Sequence, residues 1–244
     1  MSGLRQRLVA RYRRESFFPS ALGLFVNPFY FARKGLAHHV EELGRHITGR
    51  TLDVGCGSKP YEAIYASSEY IGLEYDTPEN RATKKADYFY DGETFPFDDA
   101  SFDSLVANEV FEHVFNPDRF LDEAYRVLKP GGMMLMTMPF VWDEHEQPHD
   151  FARYSSFGIR YLLEKHGFEI VEQRKSVDDV RVIFQLINAY LHKKTMTANG
   201  WINLFLTLLL MAPFNLLGVV AGTILPRNPD LYLDNIVLAK KQVR

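Results

Sequence analysis

The feature that most constrains this chain is a short apolar run that leads straight into a glycine turn, Thr51-Leu52-Asp53-Val54-Gly55-Cys56-Gly57, continued by Ser58-Lys59-Pro60. Glycine admits the left-handed backbone that a tight strand-to-helix turn needs, and it lets a ligand approach the main chain with no Cβ in the way. About 20 residues after Gly55, the usual interval for such a pair, Ile71-Gly72-Leu73-Glu74 ends a second apolar run in a carboxylate. A carboxylate there can accept hydrogen bonds from both ribose hydroxyls of an adenosine-containing cofactor. A glycine turn alone is often only a turn; the pair at this interval predicts a nucleotide-like ligand. Pro60 occupies the position where a dinucleotide-binding turn has its third glycine, which disfavours a pyrophosphate ligand.

The same alternation continues downstream. Thr51–Val54, Tyr70–Leu73, Tyr88–Tyr90, Ser104–Ala107, Met133–Met138, Phe168–Gln173 and Asp234–Lys241 read as strands. Helical spacing falls at 34–47, through Leu36, Val40, Leu43 and Ile47, at Pro117–Leu128, and at Ser156–His166, with Gly131 and Gly132 expected to stop the second of these helices. The expected fold class is α/β, a doubly wound, mainly parallel sheet, with an N-terminal helical arm and an apolar helical insertion before the last strand. The corresponding divisions are a basic and aromatic arm over 1–50, a core over 51–179, an apolar insertion over 180–229 and a closing strand within 230–244.

Composition narrows the partners. A net charge of −3 over 244 residues gives no overall cationic field, so no nucleic-acid partner is expected. The single cysteine, Cys56, excludes an internal disulfide and a multi-cysteine zinc site and fits a reducing, cytoplasmic setting. Arg5, Arg7, Arg11, Arg13 and Arg14 are not followed by a continuous apolar stretch, so no signal peptide is expected. The arm, with Leu4, Leu8 and Tyr12 at helical spacing and Phe17, Phe18, Phe25, Phe29, Tyr30 and Phe31 behind them, has two open readings, a lid packed on the main domain or a segment lying on an anionic membrane. From Thr195 to Pro226 no residue is charged. This insertion is long enough for a bilayer, but Pro213 with Asn203 and Asn215 predicts two shorter helices broken near Ala212-Pro213. It suits a membrane contact, a homodimer interface or a substrate cover.

From Thr51 to about residue 140 the chain resembles the class I S-adenosylmethionine (SAM)-dependent methyltransferases, specifically the methyltransferase type 11 group. The resemblance implies a Rossmann-like fold with SAM as cofactor. It assigns Asp53, Gly55 and Gly57 to the methionyl end, Glu74 to the ribose and Asp91 to the adenine amino group, with Cys56 and Gly92 beside them among the cofactor-binding residues. It also places Asn108, at the tip of the fourth strand, on the cofactor cleft. Glu112-His113-Val114 and Arg126-Val127-Leu128-Lys129-Pro130-Gly131-Gly132 match further family motifs. Two departures stand out: Ser58-Lys59-Pro60 replaces a common further glycine, and the ribose acid is Glu rather than the commoner Asp.

Beyond the fifth strand, Trp142-Asp143-Glu144-His145-Glu146-Gln147-Pro148-His149-Asp150-Phe151-Ala152-Arg153-Tyr154 is dense in titratable groups and leaves the carboxyl end of a central strand, where open α/β sheets bind ligands. It is either a solvated polar loop or part of the acceptor site. In the second reading His149 or His145 is the general base, Asp150 or Glu146 orients it, and Arg153 or Tyr154 holds a small-molecule acceptor. His113 stands where the resemblance implies a histidine near the cleft; its other reading is a packing residue at the start of a helix. No metal is expected, because His145 and His149 lie in a proline-containing loop rather than on one helical face. The family resemblance and the apolar insertion together lean toward a hydrophobic, lipid-linked or glycan-related acceptor at the cytoplasmic face of a membrane. A SAM-binding regulator without turnover, a membrane-associated scaffold and a nucleotide-dependent oxidoreductase are the alternatives.

Overall fold

The computed structural model describes residues 11–12 and 14–243. Leu4, Leu8, Arg5, Arg7 and Arg13 of the expected amphipathic arm lie outside the described residues. Seven strands form one sheet: β1 Thr48–Val54, β2 Ala66–Tyr75, β3 Tyr88–Tyr90, β4 Phe102–Asn108, β5 Leu128–Pro139, β6 Phe168–Lys175 and β7 Asp234–Lys241. Their order is β3-β2-β1-β4-β5-β7-β6, with β7 antiparallel to both neighbours and every other pairing parallel. Strand order reverses between β1 and β4, which is the place where open α/β sheets take their ligands.

The chain falls into two compact units, each described by itself. One holds His39–Phe140, Glu144–Lys175 and the segment from Asp234 onward, and so contains the whole sheet. Its core draws Leu52, Val54, Leu105, Met134 and Met136 from the central strands, Phe120, Leu121, Ala124 and Val127 from the helix Pro117–Val127, and Ile159 and Leu163 from the helix Ser156–Lys165. Helices of this kind begin where local chemistry favours it. Asn116 accepts from the Arg119 N–H at 3.2 Å, Pro117 fills the first turn, and Asp118 complements the dipole.

That helix ends at Val127, not at the glycine pair. Leu128 is already extended and opens β5, so Lys129-Pro130-Gly131-Gly132 lies inside the strand. Pro130 keeps Lys129 out of the helical region and removes a ladder donor. The pairing with β4 accordingly slips between Phe102 and Ser104. Gly132 is needed at this bulge because a Cβ there would come within 3.0 Å of the Asp103 carbonyl oxygen.

The second unit holds residues up to His38, Val141–Asp143 and Ser176–Leu233. Its helix Arg181–Thr195 is followed by Gly200–Leu206, a wider π-helical turn at Thr207–Met211, and Ala212–Ile224. The last three run on as a single 25-residue helix, so the break expected at Ala212-Pro213 does not occur. A proline lacks an N–H and its ring crowds the preceding turn; the i→i+5 turn before Pro213 takes up that strain without ending the helix. The reversal comes instead at 196–199. Gly222 faces Arg181, Gly218 faces Phe184 and Asn215 bonds Asn188 at 2.9 Å, so the two helices run antiparallel as a hairpin.

Buried amides tie the arm into this unit. Gln185 Oε1 accepts from the Phe31 and Ala32 N–H groups, and Asn215 donates to the carbonyls of Leu24 and Asn27. Phe31 is buried, and Phe29 packs on Trp142 and His192. This portion of the aromatic arm therefore packs within the helical unit.

Candidate cofactor and acceptor site

The carboxyl ends of β1, β2 and β4 bring the first set of residues together. Gly55 and Gly57 both have positive φ, 69° and 53°. A Cβ on Gly55 would meet Val110 at 2.4 Å, whereas one on Gly57 would meet nothing within 4 Å. Gly55 is thus fixed by packing, and Gly57 leaves open space beside the main chain. The Gly57 N–H donates to Glu74 Oε2 at 3.0 Å, which joins the tips of β1 and β2 directly.

Asp53 is 4% exposed and its Oδ2 accepts from the Tyr70 hydroxyl at 2.7 Å. Burial pushes its carboxyl up to about 7, the Tyr70 bond pulls the other way, and the nearby charge of Glu74 adds to the rise. Asn108 donates to the Tyr65 hydroxyl at 3.2 Å, while its own buried Oδ1 accepts nothing. Tyr65 and Tyr70 are stacked with centroids 5.9 Å apart. Both tyrosines were missed in sequence, where aromatics outside a motif look like core.

Cys56 departs from its expected role. Its side chain is turned inward, with Sγ 2.7 Å from where a Cβ on Gly72 would stand, and burial pushes the thiol up to about 12. Only its backbone faces the turn. Lys59, in the segment that departs from the family pattern, has φ 56° and pairs with Asp87 at 2.5 Å, and Asp87 also accepts from the Gly72 N–H. An ion pair therefore holds the turn where a further glycine is usual.

Asp91 caps its own loop, its Oδ1 accepting from the Glu93 and Thr94 N–H groups, which hold its carboxyl below the usual range. Gly92 follows at φ 89°. The loop is anchored by Arg126, which donates to the carbonyls of Phe95 and Phe97 and pairs with buried Glu123 at 2.7 Å.

The second set lies on the turn Phe111–His113 and the segment 144–154. Asp150 forms a bidentate pair with Arg153, at 2.5 and 2.6 Å, and accepts from the His145 N–H at 2.9 Å; the same carboxylate is 3.4 Å from His145 Nδ1. Burial works to raise Asp150, but these bonds outweigh it and hold it at about 2. Arg153 is thereby committed to Asp150, and Tyr154 packs on Phe111 at 4.9 Å. Glu146 adopts φ 49° and its carbonyl accepts from the His149 N–H.

The two histidines of the loop part company. His149 is exposed, with its ring against Tyr75 and Phe151, while His145 turns toward His113, ring to ring at 4.7 Å. His113 Nδ1 is 2.7 Å from the His149 carbonyl, so His149 meets the cluster through its backbone. Glu112, which sequence gave no role of its own, is 0% exposed with neither carboxylate oxygen in a hydrogen bond. Burial drives its carboxyl well above the usual range, and the charge of Glu109 adds to this.

The comparisons with known proteins bear on the same segment. Residues 52–136 match the model of the type 11 methyltransferase domain. That segment of the chain carries a type 11 methyltransferase domain. Its sheet is that of the Rossmann-like, SAM-dependent class I methyltransferases.

A protein of Mycolicibacterium smegmatis named a probable SAM-dependent methyltransferase is 29% identical over 163 residues, 61% of this chain and 62% of that protein. An uncharacterized methyltransferase of Mycobacterium leprae is 37% identical over 144 residues, 53% of this chain and 51% of its own length. The chain thus spans between about half and two thirds of these two relatives. Among solved structures, phosphoethanolamine N-methyltransferase 2 of Haemonchus contortus with bound SAM matches at a TM-score of 0.54 and 19% identity, over 94% of this chain and 59% of that one. The [4+2]-cyclase SpnF matches at 0.55 and 20%, over 85% and 82%. At such identities the likeness is one of fold, and a fold carries more than one reaction.

Proposed function

We propose that this protein transfers the methyl group of SAM to a small, hydrophobic or lipid-linked acceptor at the cytoplasmic face of a membrane. The observation that carries the cofactor half is the polar set at the sheet's switch point: the open backbone at Gly57, the carboxylates of Asp53 and Glu74, and the buried, unsatisfied Asn108 Oδ1. These are the groups that an adenosine ribose and an amino-acid ammonium need. Glu74 would take the ribose hydroxyls, Asp53 and Asn108 the methionyl end, and the Asp91-Gly92 turn the adenine side.

When bound, SAM supplies a methyl group on a positively charged sulfur, already activated for departure. The protein's own task is then to align the acceptor and, for a hydroxyl, to help remove its proton. In this reading the acceptor oxygen is activated on the His145 side, where Asp150 orients the imidazole.

The acceptor class is supported by the helical unit. Gly200–Ile224 is long and apolar enough to cross a membrane, yet 28% of its most apolar stretch is buried. Trp201 is 81% exposed and Ile224 74%, with Phe205, Leu209, Leu217 and Val220 each more than half exposed. A face of this kind is stable in water only when something covers it. The antiparallel hairpin brings the chain back to the end from which it set out, which suits a helix lying in the interface. The one cysteine, a buried thiol, suits the reducing side.

Calorimetry with SAM and NAD, followed by methyl-labelled SAM and purified protein on lipid and metabolite extracts, tests the whole reading. The expected results are SAM binding without NAD binding and a labelled product in the apolar fraction. Tighter binding of NAD than SAM would end the assignment, and SAM binding with no labelled product from any extract would make the protein a SAM-binding regulator.

A further inference from the structure

We propose that Glu112, His113 and His145 form a binding site for one divalent transition-metal cation, with Zn²⁺ the reference ion. One carboxylate oxygen and one ring nitrogen from each histidine lie within 4.8 Å of one another. Glu112 Oε1 is 3.6 Å from His113 Nε2 and 3.8 Å from His145 Nε2. Those separations are too long for hydrogen bonds. They are close to the separation of about 3.4 Å between ligand atoms that sit tetrahedrally at about 2.1 Å from a shared zinc ion.

The outer partners point the same way. A histidine that ligates through one ring nitrogen usually donates its other N–H to a carbonyl or carboxylate, which fixes the tautomer and aims the ring. Both histidines have that arrangement. His113 Nδ1 is 2.7 Å from the His149 carbonyl oxygen, and His145 Nδ1 is 3.4 Å from Asp150 Oδ2. Both therefore turn Nε2 toward the same oxygen of Glu112. Asp150 is in turn immobilised by its bidentate pair with Arg153.

The backbone also holds the two ligand-bearing segments at fixed spacing. The Glu112 carbonyl accepts from the N–H groups of Phe151 and Ala152, at 2.9 and 3.2 Å. The donor set itself asks for a cation. A fully buried carboxylate with neither oxygen hydrogen-bonded is costly unless a positive charge meets it. Two imidazoles and one carboxylate suit Zn²⁺, Co²⁺, Mn²⁺ or Fe²⁺ rather than Ca²⁺ or Mg²⁺. Three protein ligands leave a coordination position open, as catalytic sites do. Use of that position by an acceptor oxygen, whose proton loss the bound cation would then promote in place of the His145 imidazole, rests on the methyl-transfer reading; the metal site itself does not.

The experiment titrates Co²⁺ into the chelator-stripped full chain without SAM or acceptor, read by visible absorption and calorimetry. One Co²⁺ per chain is expected, displaced by Zn²⁺, with X-ray absorption showing two imidazoles and an oxygen ligand. His145→Asn, at a partly exposed position, and His113→Asn should each weaken uptake at least roughly hundredfold, and Asp150→Asn about 10- to 100-fold, with SAM affinity retained as the check on folding. No saturable uptake by the wild type, uptake unchanged in both histidine variants, or a spectrum lacking imidazole would overturn the site. Co²⁺ binding without SAM binding would instead remove the methyl-transfer reading and leave the metal site standing.

Discussion

The two units of this molecule are unusual in opposite ways. In the sheet unit the anomaly is polar groups inside: Asp53 and Glu112 are buried, and Asn108 Oδ1 has no partner. In the helical unit it is apolar groups outside, with Trp201, Phe205, Leu209 and Ile224 each more than half exposed along one uncharged helix. An exposed leucine alone, or a buried leucine, says little; buried polar groups and contiguous exposed apolar faces are the informative departures. The first departure marks room for a small, charged ligand held by directional bonds. The second marks an extended apolar partner held by area. The proposed reaction between a polar cofactor and a greasy acceptor rests on these two departures.

The contrast breaks most easily on the helical side, where the largest effect is expected. Replacing Phe205, Leu209 and Leu217 together with Ser removes three exposed apolar side chains, each worth about 1.5–3 kcal/mol when buried. Flotation with anionic vesicles should then show vesicle binding fall by roughly hundredfold or more, with SAM affinity unchanged. A wild-type protein that stays a soluble monomer beside vesicles would end the membrane reading. A soluble dimer that the triple variant splits would make the face a subunit interface.

On the sheet side, Glu74→Ala should weaken SAM binding about tenfold or more, because charge-assisted hydrogen bonds are worth about 1.5–3 kcal/mol each. Equal affinity in a folded variant, measured by calorimetry, would remove Glu74 from the cofactor.

A smaller effect follows from Asp53, whose carboxyl burial pushes up to about 7. The methionyl ammonium favours its ionised form, so affinity for SAM should fall as pH drops through that value, by about tenfold between pH 8 and pH 6. Asp53→Asn should bind more weakly and flatten the profile. The smallest shift is expected from Tyr70→Phe. It removes the bond that favours the Asp53 carboxylate and should move the midpoint of the same profile upward by a fraction of a pH unit.

Much of the sheet unit was legible in sequence because its signals are local. Alternating apolar runs set the seven strands, and the glycine turn and Glu74 were expected at neighbouring strand tips, which the Gly57–Glu74 bond joins. What escaped depends on distant partners. Tyr70 lies 17 positions from Asp53 yet donates to it, and Glu112 meets His145 across more than 30 residues. His149 and His145 stood as alternatives for one base because they are close in sequence, but the turn at Glu146 sends their rings to different neighbours. Pro213 misled for a related reason: proline predicts a break, but the π-helical turn that absorbs it has no local signature.

The place of β7 has a consequence for how the protein is made. It follows every other strand in chain order, yet it sits between β5 and β6. During synthesis, β5 and β6 therefore have no partner in common until the residues after Leu233 arrive, and the uncharged hairpin helix emerges first. For that interval an unpaired strand edge and a large greasy helix coexist in one unfinished chain, the combination most prone to aggregation. A membrane surface that captured the helix early would act as a chaperone for the sheet. Translation in the presence of that surface should then raise the yield of folded, unaggregated protein.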